Sequence, residues 1–255
     1  MPLAHVLTSS TPMVAVIAVG AAGIVTGLTG FGFALVSVPI LMLVLPPASV
    51  VATVLVIGEI TDVVNVMSAR RHVDHAVLRG LLLPATLGML LGAAALHLVP
   101  PAGLRLTAAA AVVTFTGLLL RRGRGSNGTG PGWRTLAASV SGLLTTAVGL
   151  SGPPIVLYLD AAMRDKHRSR ATLAAYFAAI SPAGLALVVA HGGFPAGTWP
   201  PILYLTPVAL LGRTAGSVLH RWTTPQVFRT ITLAVTLIAG LSGAFSALVA
   251  LLYRA

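Results

Sequence analysis

Glu59, Asp62 and Asn65, with Thr61 between them, interrupt an apolar run of the chain. Residues three apart share a helix face, and Glu59 lies about 16 Å of helix from the basic residues at Arg70. That depth is the middle of a bilayer, where a carboxylate is costly to hold and marks an ion or proton path. The expectation is an ion-coupling group of Glu59, Asp62 and Asn65; the bland reading is a neutral acid hydrogen-bonded to a neighbour. A second pattern is Gly27-Leu28-Thr29-Gly30-Phe31-Gly32, which nearly repeats as Gly149-Leu150-Ser151-Gly152-Pro153-Pro154. Gly and Pro are the residues least able to continue a helix. A helix broken inside lipid bares N–H groups at the start of its second piece, and these, with the helix dipole, favour an anion. The expected binding set is Thr29, Gly30, Phe31 and Gly32 with Ser151, Gly152, Pro153 and Pro154, the two hydroxyls adding donors. Against this stands close helix packing, the common use of small residues in membranes.

The elements that must position these groups are apolar throughout. Hydrophobic residues make up 56% of the chain and charged residues 8%, whereas a soluble domain is about a quarter charged. No charged residue or histidine occurs from Val6 to Gly58, and about 20 apolar residues suffice to cross a bilayer. The expected class is an all-α polytopic membrane protein. Residues 12–45 would make one helix of about 51 Å, too long to cross once, so they read as a broken hairpin. Spans follow at 48–68, 81–98 and 104–120. A Gly-rich basic connector at 121–134 separates this first half (1–120) from the second (135–255), a hairpin at 135–163 and spans at 171–190, 201–219 and 226–252. The start lacks the basic region of a secretory signal and is read as part of the mature fold.

The halves align. Gly20, Gly27 and Gly30 match Gly142, Gly149 and Gly152 at one offset, and Pro84, Pro101 and Arg105 match Pro207, Pro225 and Arg229 with a drift of two residues. Position 59 has no acidic counterpart, the matching residue being Ser181 beside Pro182. Thirteen of the 16 Lys and Arg fall in the segments 69–79, 121–134, 164–170 and 220–229, which places all four in the cytoplasm, the connector included. One hairpin plus three spans per half then turns the second half over, giving an inverted repeat with its site where the broken helices meet near the midplane.

The net charge of +11 is spread over short loops and forms no groove-sized patch, so nucleic acid is excluded as a partner. With no cysteine the chain has neither a disulfide nor a thiolate metal site. It lacks a phosphate loop and an HExxH motif, and no cofactor or metal is expected. His72, His75, His167 and His220 read as solvated loop residues. Trp133, Trp199 and Trp222 read as interfacial anchors, Arg213 as snorkelling to the inner surface, and Tyr158 and Tyr176 as packing.

The two glycine-rich segments, with Pro84, Gly88 and Gly92 and their counterparts Pro207, Gly212 and Gly216, resemble the TauE/SafE family of sulfite exporters over most of the chain. Phe31 and Phe33 stand where that family often has a denser glycine run. The resemblance implies a permease in the bacterial plasma membrane for sulfur-containing anions such as sulfite or organosulfonates. The expected protein is therefore a secondary transporter, an exporter coupled to protons or cations, and not an enzyme. Its partners are lipid and a small anion, with homo-oligomerisation left open. A passive anion channel is the alternative that sequence does not separate. An intramembrane lipid-phosphate hydrolase is disfavoured, because neither glycine segment has an ionisable residue beside it.

Overall fold

The computed structural model describes residues 10–121, 130–192, 194–195 and 197–219. The span expected at 226–252, most of the connector, His220 and Trp222 lie outside them. Nine α-helices occur among the described residues, with no strand: α1 Ser10–Thr29, α2 Phe33–Val44, α3 Pro47–Ala69, α4 His75–Leu98, α5 Pro101–Arg121, α6 Pro131–Val148, α7 Gly152–Ala162, α8 Lys166–Ala190 and α9 Trp199–Leu219. Five of them, α1, α3, α4, α8 and α9, are long and apolar enough to cross a membrane.

The two glycine segments break the chain as their composition dictates. Between α1 and α2, Gly30 and Gly32 have φ of 81° and 100°; after α6, Gly149 has φ of 79°. Side chains rarely adopt these values, whereas Gly does so without a steric penalty. Gly149 ends α6 as a left-handed C-cap, its N–H reaching Thr145 O and the Leu150 N–H reaching Leu144 O, both at 3.0 Å. Each break therefore makes a hairpin: α1 with α2, and α6 with α7.

Helices α4 and α8 begin earlier than the basic residues around them suggest, at His75 and Lys166 rather than at Leu81 and Ala171. The reason is local. Asp74 accepts from Ala76 and Val77 N–H at 3.1 Å, and Asp165 accepts from His167 N–H at 2.8 Å. A capped first turn tolerates a basic residue at the membrane edge, where it reaches outward.

The core is built from two close helix pairs. In the first, α4 runs parallel to α6: a Cβ on Gly88 would overlap Ser139 O, one on Gly92 would overlap Leu143 O, and one on Gly142 would overlap Ala85 O. In the second, α1 runs parallel to α9, with Gly23, Gly27, Gly212 and Gly216 against the opposite backbone. In lipid there is little hydrophobic drive between helices, so backbone approach through small residues supplies the packing. The opposite face of α4 carries Leu83, Leu87 and Leu91, exposed by 71%, 56% and 65%, as expected of a lipid-facing stripe. Helices α3 and α8 pack on each other and link the two pairs, α8 touching α4 and α3 touching α9.

Basic residues gather at one end of the bundle. The Arg134 guanidinium lies against Gly80, and Arg168 Nη2 bonds Asp74 Oδ2 at 3.0 Å.

Candidate functional site

The hairpin breaks do not lie at separate ends of the molecule. Phe31, Gly32, Phe33, Ala34 and Leu35 of the first tip, and Gly149, Ser151 and Gly152 of the second, line one cavity. Its remaining wall comes from Thr26, from Val54, Leu55, Gly58 and Asp62 on α3, and from Phe177 and Ser181 on α8. The space between these atoms, open mouth included, is about 480 Å³.

The first tip presents backbone donors. The opening residues of α2 have N–H groups with no carbonyl one turn earlier, and Gly32 in the left-handed region supplies no side-chain cap. Phe33, Ala34 and Leu35 line the cavity at this N-terminus, the positive end of the helix dipole. Thr29 is expected to add a hydroxyl, but its group is consumed within the turn: Oγ1 accepts from Phe31 N–H at 3.2 Å and donates to Val25 O or Phe31 O. Thr29 and Gly30 shape the tip and do not line the cavity.

At the second tip the roles are reversed. Pro153 and Pro154 have no N–H; they are buried, lie outside the lining and give α7 a start with few donors. Ser151 lines the cavity, and its hydroxyl does not cap α7. Ser151 O is held by Ser141 Oγ at 2.6 Å, and Ser141 Oγ in turn accepts from Tyr176 OH at 2.9 Å.

Of the acidic group, Asp62 lines the cavity, while Glu59 and Asn65 do not. Glu59 Oε2 is buried with no hydrogen-bond partner among the described residues. Asn65 Oδ1 accepts from Arg213 Nη2 at 2.7 Å. Arg213 thus turns inward to α3 instead of snorkelling, because Asn65 offers it an oxygen inside the bundle.

Helix α8 supplies residues that sequence reading passed over. Arg170 donates from Nε to Thr29 O at 3.0 Å and from Nη2 to Leu28 O at 3.3 Å, closing the C-terminus of α1 with a cation where the dipole is negative. Tyr176, fully buried, anchors the second tip through Ser141. One helix therefore holds both tips and contributes Phe177 and Ser181 to the wall. In sequence Arg170 is one more base of a cytoplasmic cluster, and nothing there distinguishes it; Tyr176 and Ser141 carry a weak signal, polar groups within apolar helices.

Among the described residues no group of three or more His, Cys, Asp or Glu could hold a metal ion.

No curated protein matches the chain, and neither does any solved structure. The model of the sulfite exporter TauE/SafE family matches residues 15–243; the chain belongs to that family, and so to the membrane transporters of the sulfur-anion exporter type.

Proposed function

We propose that the protein exports a small sulfur oxyanion, such as sulfite or an organosulfonate, across the bacterial inner membrane from a site between the two hairpin tips. The observation that supports this is the convergence of both breaks on a single cavity, lined by the donor-bearing start of α2 and by Ser151, whose hydroxyl does not cap α7. An anion there meets a helix dipole and unspent donors in a medium of low dielectric, where such interactions are strong. The two halves are taken as inverted repeats, with the 121–134 connector cytoplasmic. Transport is alternating exposure of the cavity as one half rocks against the other. The acidic group on α3, Glu59, Asp62 and Asn65, couples that motion to protons or cations.

The test is binding followed by flux. Purified protein is screened by thermal unfolding against sulfite, sulfate, thiosulfate, methanesulfonate and acetate, since a ligand specific for the folded state raises the melting temperature. A sulfur anion gives the largest rise, and Ser151→Ala weakens its binding about tenfold to a hundredfold, the loss of one hydrogen bond to a charged group. In proteoliposomes, accumulation against the anion gradient driven by a proton gradient marks a coupled carrier. No stabilisation by any of these anions would remove the cavity as the site.

A further inference from the structure

Among the described residues that line the cavity, Asp62 is the only ionisable side chain. Among the described residues the nearby cations are engaged elsewhere: Arg170 is turned to the Leu28 and Thr29 carbonyls, and Arg213, close enough to act on Asp62, is outside the lining and bound to Asn65. The groups around Asp62 can be named by element. Glu59 is three residues earlier on α3, Arg213 approaches from α9, and the lining residues of α1, α2, the second tip and α8, from Thr26 to Ser181, bring no charge. An oxyanion entering this cavity therefore meets donors from the tips and one carboxylate of its own sign.

Two like unit charges about 4 Å apart in a protein environment weaken binding by roughly a thousandfold. A single proton between them removes the repulsion and replaces it with a charge-assisted hydrogen bond. We infer that the anion is bound together with one proton, held between Asp62 and an oxygen of the anion. This rests on the tip cavity being the anion site.

The balance closes when Asp62 takes the proton. A monoanion, hydrogensulfite or a sulfonate, is met by Asp62 after the carboxylate has taken a proton from water, and the new carboxyl O–H donates to an oxygen of the anion. The occupied pair then carries one negative charge in total, so the substrate class is a monoanion accompanied by a proton. A dianion such as sulfate brings a second negative charge that no cation among the described lining residues meets. Asp62 is thereby a specificity-determining residue as well as the point of coupling, while Glu59 lies behind it, outside the cavity wall.

The experiment is calorimetric titration of the full-length protein with methanesulfonate, whose sulfonate carries no proton near neutral pH. It is run in two buffers of different ionisation enthalpy, which yields the number of protons taken up. Wild type and Asp62→Glu take up about one proton for each methanesulfonate bound. Asp62→Asn, whose amide donates without titrating, takes up none and binds with an affinity independent of pH. Binding by wild type without proton uptake, or unchanged uptake by Asp62→Asn, overturns the shared proton and leaves the site standing. Failure of wild type to bind methanesulfonate, sulfite or sulfate at all removes the site and the shared proton with it.

Discussion

The pairs α4·α6 and α1·α9 are built from matching parts, yet they mesh at different registers. With the halves aligned, Gly142 corresponds to Gly20, and Gly88 and Gly92 correspond to Gly212 and Gly216. Gly88 and Gly92 face Ser139 O and Leu143 O, so identical packing would set Gly212 and Gly216 against Ile17 and Ala21. They face Gly20 O and Ile24 O instead, and the oxygen of Ala209 meets Gly23 where that of Ala85 meets Gly142. Every contact is three residues further along the hairpin arm. That is close to one helical turn, about 4.5 Å of rise. Small residues spaced by about a turn let the same two surfaces lock at either register, and packed interfaces switch between discrete arrangements more readily than they deform continuously. Under the proposed alternating exposure, the opposite-facing state is the one in which the two pairs exchange registers.

The sharpest way to break this comparison is to add one methyl group at each of the aligned glycines. At Gly142 a Cβ collides with the Ala85 backbone and forces α4 from α6; Gly142→Ala costs about 3 kcal/mol, read from thermal or denaturant unfolding in detergent. At Gly20 the same Cβ meets only Val208 Cγ1 at 3.4 Å, so Gly20→Ala changes stability by less than about 0.5 kcal/mol. Its flux nevertheless falls by about tenfold or more, because in the exchanged register Gly20 takes the place that Gly142 holds here. Wild-type flux in a stable Gly20→Ala protein would show that the registers do not exchange.

A smaller effect separates the hairpin tips. The second tip hangs on the chain from Tyr176 OH through Ser141 Oγ to Ser151 O, buried at Tyr176 and Ser141, whereas the first is held by the exposed Arg170 guanidinium. Tyr176→Phe removes a buried donor and costs about 1 kcal/mol. It also loosens Ser151, so anion affinity drops along with the melting temperature. Smaller again is Thr146→Val. Thr146 Oγ1 donates across to Met89 O at 2.7 Å, while its aligned residue Ile24 has no hydroxyl. The expected cost is about 0.6 kcal/mol, with affinity unchanged.

What the sequence disclosed, and what it withheld, follows from which forces are local. The breaks at Gly30, Gly32 and Gly149 were legible because backbone conformation is a property of the residue itself. The apolar helices over 48–68, 81–98, 171–190 and 201–219 were legible because hydropathy needs no partner. Asp62 stood out as a charge in an apolar run. The slip between registers is invisible in sequence, since the aligned glycines are chemically the same and only the choice of facing residue differs. Arg170 was counted as a topological charge, because sequence records that it is basic but not that two α1 carbonyls lie within its reach. Thr29 was overvalued as a donor for a related reason: the turn that positions it also consumes its hydroxyl.

The smallest prediction concerns the two capped starts, Asp74 before α4 and Asp165 before α8, which share Arg168. Its backbone N–H bonds Asp165 and its guanidinium bonds Asp74, so the two helix starts are tied at the basic end, and the Asp74 N–H is further bonded by Thr172 Oγ1 at 2.9 Å. The exposed Asp165 carboxylate is held below the usual range, first by the His167 N–H. A depressed folded value means that the cap stabilises the protein above the ordinary carboxylate range, near pH 4, and that this is lost as pH falls through the folded value. Melting curves of wild type and Asp165→Ala should therefore be separated at neutral pH and converge in acid. A separation that persists in strong acid would mean that Asp165 acts through packing, leaving Asp74 and Arg168 as the ionic tie between α4 and α8.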